Sequence, residues 1–373
     1  MHHHLAPQPL PRPTTSGRRV VRAAALLVAV ALTLGACGLR LETPPPAEPS
    51  PDPVEQVRAR TVDDALGLVD AAFALSAADV VEPVRAVLDD VAEFSTRHAQ
   101  ELGGVYDSGL PETTPTATPH RAMPAVTDVT GLLRELVDDA ARASGDADAV
   151  PDPELARLVA SIAVARDGLA DRLASATGQS RPEPAAAQYA GASPDGAAPD
   201  VADDGSTAAA AGDGVEGGTP TPAPATTPEP GGAPEGAAAL ALAHDEAAWT
   251  FTVLAARVAD DRRAALLGEA ARHRAASDAW AHVAGVVGQP TDPRRAAYAL
   301  PAAVDDPAAA EALPRTLETA VADASANVVA GAAQGQRRDA VAGLRAATTA
   351  AVAWGAAPVP FPGMPELAAV PEG

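Results

Sequence analysis

From Arg181 to Gly236 the chain carries almost no large apolar side chain. The stretch includes "TPTPAPATTPEPGGAPEG" and is made of Ala, Gly, Pro, Thr and Asp. It cannot bury enough surface to offset the entropy of ordering it, so it predicts a disordered linker over residues 180–236. Folded structure must then be built on either side, from residues 54–179 and from 237–358. Both regions place apolar residues at spacings of three and four, and neither shows the period-two alternation of strands. The expected fold class is all-α: two antiparallel helical bundles joined by the linker. Aromatic residues are only 3% of the chain, so the cores must be largely Ala, Leu and Val. The single Cys leaves no disulfide within the chain to compensate.

In the first region, Val62, Leu66, Val69 and Phe73 predict one apolar face on a helix from Val54 to Leu75. Pro83 fits the first turn of a second helix, stopped by Gly103-Gly104. Thr127 or Asp128 caps a third that ends at Gly145. Asp152-Pro153 starts a fourth that stops at Gly178. The polar segment "SGLPETTPTATP" reads as a loop, and His98 as a satisfied or solvent-facing imidazole.

The second region repeats the pattern. Leu242, Glu246, Trp249 and Val253 fall on one stripe, and a break at Asp260-Asp261 follows. The next helix aligns Leu266, Ala270, His273, Ser277, Trp280 and Ala284. Asp306-Pro307 opens a third helix, with Pro314 bending its first turns. Gly335 separates it from a fourth between Arg338 and Trp354. Four helices on short connections predict an up-down bundle, with residues 359–373 as a tail. The three Trp residues read as core fillers.

The N-terminus carries an address. Arg12, Arg18, Arg19 and Arg22 precede an apolar run from Ala23 to Leu34, then Gly35-Ala36-Cys37. A basic n-region, a short apolar h-region and small residues before a cleavage point make a secretory signal over residues 1–36. The run falls short of the ~20 residues that span a bilayer. Leu34-Gly35-Ala36-Cys37 resembles the lipobox of bacterial lipoproteins, which implies a diacylglyceryl group on the Cys37 thiol, cleavage just before it, and residence on the outer face of the cell membrane. Both Sec and twin-arginine export stay open. Residues 37–53, including "ETPPPAEPSPDP", read as an extended Pro-rich tether.

Charge narrows the partners. The chain has 49 acidic and 27 basic residues, every basic one Arg, for a net of −22. Losing residues 1–36, with four Arg and no acid, deepens this to about −26. Such a balance argues against nucleic acid and against electrostatic adhesion to anionic lipid. There is no Gly-rich phosphate loop, no G-x-S-x-G elbow and no H-E-x-x-H.

The C-terminal third carries a second resemblance. "ALALAHDEAAWTFTVLAARV", His273-Arg274, "YALP", Leu317-Glu318, "AVAW" and Phe361-Pro362-Gly363 are similar, in order, to the ferritin-like domain of unknown function found at the C-terminal end of actinobacterial lipoproteins. "RHAQELGGV" and "ELARLVASIAVARDGLA" resemble, more loosely, the helical half that precedes that domain. The resemblance implies a fold and an envelope location but no established activity. Ferritin-like bundles commonly hold two irons between Glu and Glu-x-x-His ligands on four helices. Here the candidates are Glu246 on the first helix, with His244 and Asp245 nearby, Glu269 and His273 on the second and Glu318 on the third. The fourth offers neither Glu nor His. No cofactor is expected from so incomplete a set, with iron or manganese on these residues the alternative. These groups can also pair with one another or with Arg345. The expected function is a non-catalytic, lipid-anchored envelope module that binds a protein partner or a small ligand, or else a divergent metal-binding or redox protein.

Overall fold

A computed structural model describes residues 51–105, 126–185, 232–300 and 306–368. Cys37, the signal peptide, most of the tether, the loop at 108–119 and linker residues 186–231 lie outside the described residues. Among the described residues there are eight α-helices: α1 Pro53–Ser76, α2 Glu82–Glu101, α3 Val129–Ala149, α4 Pro153–Thr177, α5 Ala237–Ala255, α6 Asp260–Val283, α7 Pro307–Gly331 and α8 Arg338–Ala353. Among the described residues there is no strand, and no helix is long and apolar enough to cross a membrane.

Asp-Pro pairs set three of the starts. Asp52, Asp152 and Asp306 each accept a backbone N–H from the first turn, and Pro53, Pro153 and Pro307 occupy the first helical position. That position needs no N–H donor, so proline costs nothing there. Asp128 caps α3 in the same way, accepting from Gly131 N at 2.7 Å. The helices pair in sequence as α1–α2, α3–α4, α5–α6 and α7–α8, two pairs to each bundle.

Two local expectations fail. α3 does not stop at Gly145; it runs to Ala149 and ends ahead of Pro151. A glycine stops a helix only when it adopts the left-handed conformation, which Gly145 does not. On α1 the predicted face is rotated. Val62 is buried, but Phe73 is 63% exposed and Leu66 lies at the surface. The buried stripe is instead Val57, Thr61, Ala65, Leu68, Ala72 and Leu75. Alanine and threonine on the true inner face gave the apolar pattern too little contrast.

The two bundles share a core. α4 packs on α7 and α8, and α3 on α8. One continuous apolar cluster includes Ala147, Val150, Ala160 and Val164 from the first bundle and Leu240, Phe251, Val328 and Leu344 from the second. Arg337 is buried at this seam. Its backbone N–H donates to Asp148 Oδ1 at 2.8 Å, and its guanidinium to the carbonyls of Ala147 at 2.9 Å and Val150 at 2.6 Å. A cation on the last carbonyls of α3 complements the negative end of that helix.

Of the segment 359–373 read as a tail, the described residues 359–368 form a strap. Phe361 and Met364 insert among Val62, Ala65, Ala99, Leu102 and Ile162 of the first bundle. Ser161 Oγ donates to the carbonyl of Pro362 at 2.7 Å, and Arg97 to that of Leu367 at 2.6 Å. Gly363, at φ +76, sits where a Cβ would come within 2.7 Å of Ala326 and 2.8 Å of Leu344.

Candidate functional site

Glu269 and His273 on α6 and Glu318 on α7 bring ligand atoms to one place, all within 4.8 Å of one another. His273 lies on the buried stripe of α6 and Glu318 on the buried side of α7, both 0% exposed. Glu269, one turn before His273, is half-buried. Glu246 does not join them. It is exposed on α5, beside the inner face formed by Leu240, Ala241, His244, Ala247, Ala248 and Phe251. The residue that α5 contributes is His244. Its Nδ1 lies 2.9 Å from His273 Nδ1, and His273 Nε2 lies 2.9 Å from Glu318 Oε1.

Proton placement follows from the partners. Glu318 Oε1 can only accept when ionised, so His273 Nε2 carries the proton and Nδ1 accepts from His244. Burial first, then the neighbouring His273 and Arg272, push His244 down to about 3, which keeps it neutral. Phe251 stacks on His273 at 5.3 Å between centroids and closes one side.

Arg272 supplies the positive charge. Its guanidinium donates to Glu318 Oε1 at 2.5 Å and to Glu269 Oε2 at 2.6 Å. Both carboxylates that would hold a cation are thus already held by one. Arg345, one of the partners open to these groups, reaches Asp167 on α4 instead, across the seam between the bundles. α8 contributes no Glu or His. These residues do not fit a di-iron centre: of four Glu and two His only Glu269, His273 and Glu318 converge, and a guanidinium sits on the best-buried carboxylate. Glu318 Oε2 has no hydrogen-bond partner among the described residues.

Two features are not legible in the sequence. That His244 rather than Glu246 faces the cluster is hidden, because the alanines around it blur which face of α5 is inner. The other is a buried charge cluster in the first bundle. Arg166, 0% exposed, donates to the carbonyl of Thr61 at 3.0 Å and lies 3.7 Å from Asp64 Oδ2. Arg142 bridges Asp64 and Asp139. Periodicity of apolar residues carries no signal for charges that are paired inside.

Residues 237–366 match a family model. It is described as a domain of unknown function (DUF4439), and its span runs from the start of α5 into the 3-10 turn Pro365–Leu367. The matched domain therefore includes the strap that enters the first bundle, and the His244–His273–Glu318–Arg272 cluster lies inside it. No curated protein and no solved structure matches the chain.

Proposed function

We propose that this chain is a lipoprotein held on the outer face of the cell membrane by a diacylglyceryl group on Cys37. Its C-terminal domain, ferritin-like by resemblance, serves as a non-catalytic module that binds an envelope partner or a small ligand. The observation that supports this reading is the position of Arg272. A guanidinium bonded to Glu318 and Glu269 neutralises the carboxylates that metal chemistry would need, and a buried carboxylate requires such a partner. The cluster then stabilises a bundle interior rather than performing a reaction.

A second reading is a single iron or manganese ion on Glu269, His273 and Glu318. Their convergence within 4.8 Å and the unpartnered Glu318 Oε2 favour it. It requires Arg272 to leave Glu318. Elemental analysis of the full mature chain purified from membranes separates the two. Metal below a tenth of stoichiometric supports the first reading; one equivalent, lost in Glu318→Ala, overturns it. Mass spectrometry of the Cys37 peptide from the same sample tests the anchor, and an unmodified thiol sinks that part.

A further inference from the structure

The buried charges of the first bundle do not balance. Three guanidinium groups, Arg60 on α1, Arg142 on α3 and Arg166 on α4, face four carboxyl groups. These are Asp64 on α1 and Glu135, Asp139 and Asp146 on α3. Asp146 takes the Nε–H of Arg60 at 3.0 Å and a second N–H at 2.8 Å. Arg142 donates to Asp64 at 2.9 Å and also to Asp139, and Arg166 lies 3.7 Å from Asp64 Oδ2. The other charges against α3 are engaged elsewhere. Asp138 accepts the backbone N–H of Ala185 at 2.7 Å, and Arg338 and Arg345 of α8 reach Asp148 and Asp167. One negative charge is therefore left over if all four carboxyl groups ionise.

Glu135 and Asp139 provide the place where that charge is cancelled. They stand one turn apart on α3, and Asp139 is 0% exposed. Asp139 Oδ1 accepts from Arg142, whereas Oδ2 meets no N–H or hydroxyl donor. The carboxyl group of Glu135 is hydrogen-bonded to that of Asp139. Carboxylates only accept, so a hydrogen bond between two of them requires that one be an acid. Burial first, then the neighbouring Asp64, push Asp139 up to about 8 against the pull of Arg166 and Arg142. Burial raises Glu135 as well.

We infer that Glu135 and Asp139 share one proton at neutral pH, which makes the pair a proton-binding site inside the first bundle. Asp139 carries the proton as the deeper group, and Glu135 accepts from it. The proton keeps the interior neutral, and its loss in alkali places one uncompensated charge between α1, α3 and α4. This goes beyond the binding-module reading and does not depend on the Glu318 cluster.

The folded chain holds this proton where the unfolded chain, with an ordinary carboxyl group, has already lost it. Stability therefore falls on this account as pH rises from the ordinary carboxylate range to about 8, and levels off above. Infrared difference spectroscopy of the full chain reads the proton directly. A carboxylic-acid C=O band is expected at pH 7, missing from Asp139→Asn and lost from the wild type as pH passes about 8. Asparagine keeps an acceptor for Arg142 and offers an N–H to Glu135, so the variant retains both contacts. Chemical denaturation gives the second readout. From pH 6 to pH 8 the folding constant of the wild type should fall by about tenfold or more relative to Asp139→Asn. No acid band at pH 7, a band unchanged in Asp139→Asn, or a parallel pH dependence of the two proteins overturns the proposal. Each of those results leaves the metal and anchor measurements as they were, so the readings fail separately.

Discussion

His98 of the first bundle lies with Nε2 2.7 Å from the carbonyl oxygen of Pro360, 262 positions later in the chain. His98 is wholly buried, and burial, reinforced by the nearby Arg166, pushes it down to about 3. The imidazole is therefore neutral and donates its Nε2–H to that carbonyl. Phe361 meets the same ring edge-on at 5.2 Å, and Arg97 stands 5.4 Å above the Phe361 ring. The strap thus ends inside a bundle that the second domain does not itself form.

Loss of the strap should be felt in the first bundle. Phe361→Ala removes a side chain that is 4% exposed and should destabilise the protein by about 3–5 kcal/mol. Chemical denaturation measures this, and hydrogen exchange should show the added opening in α1 and α2.

Gly363 tolerates no side chain. At φ +76 an alanine is strained, and its Cβ would also overlap Ala326, Leu344 and the carbonyl of Ala322. Gly363→Ala is expected to cost about 1–3 kcal/mol, read from the melting temperature.

A cut in the linker should not separate the halves. A protease site placed within residues 186–231 leaves the shared core, the Arg345–Asp167 pair and the strap intact. The two fragments are expected to co-elute on size exclusion. Co-elution should fail first in the Phe361→Ala background.

Arg272 and Glu318 should be coupled. Arg272→Gln leaves a buried carboxylate with His273 as its remaining partner and should cost about 2 kcal/mol. Adding Glu318→Gln should recover much of that loss. A double-mutant cycle measures the coupling, and additive effects would mean that the two do not interact.

Stability should fall in acid. His98 and His244 both have folded values near 3 against 6.5 unfolded. A lowered folded value means that the unfolded chain binds protons first. Their contribution is therefore complete above pH 6.5 and is lost as pH falls toward 3; the Asp139 carboxyl, pushed up to about 8 by burial, works in the opposite sense over that window, leaving a net loss of about 1.4 kcal/mol per pH unit. Denaturation midpoints between pH 7 and pH 4 check the slope, and His98→Asn should flatten it.

The helices and most of their ends were set by local chemistry that the sequence carries openly. Asp-Pro pairs fix starts because a carboxylate accepts an orphan N–H and proline lacks one to waste. Gly178, left-handed at φ 68, ends α4 for the converse reason. The candidate cluster was half legible, since Glu269, His273 and Glu318 lie on helical stripes. The roles of His244 and Arg272 are not legible there, because a side chain's partner depends on how two helices are rotated against each other. In bundles padded with alanine, that rotation is weakly written into apolar periodicity. It took the packing of α5, α6 and α7 to choose His244 over Glu246. It took the docking of α8 on α4 to turn Arg345 outward to Asp167 and to make two predicted bundles one body. Local bonds obey neighbours in the chain, whereas buried charge, grooves and shared cores obey neighbours in space.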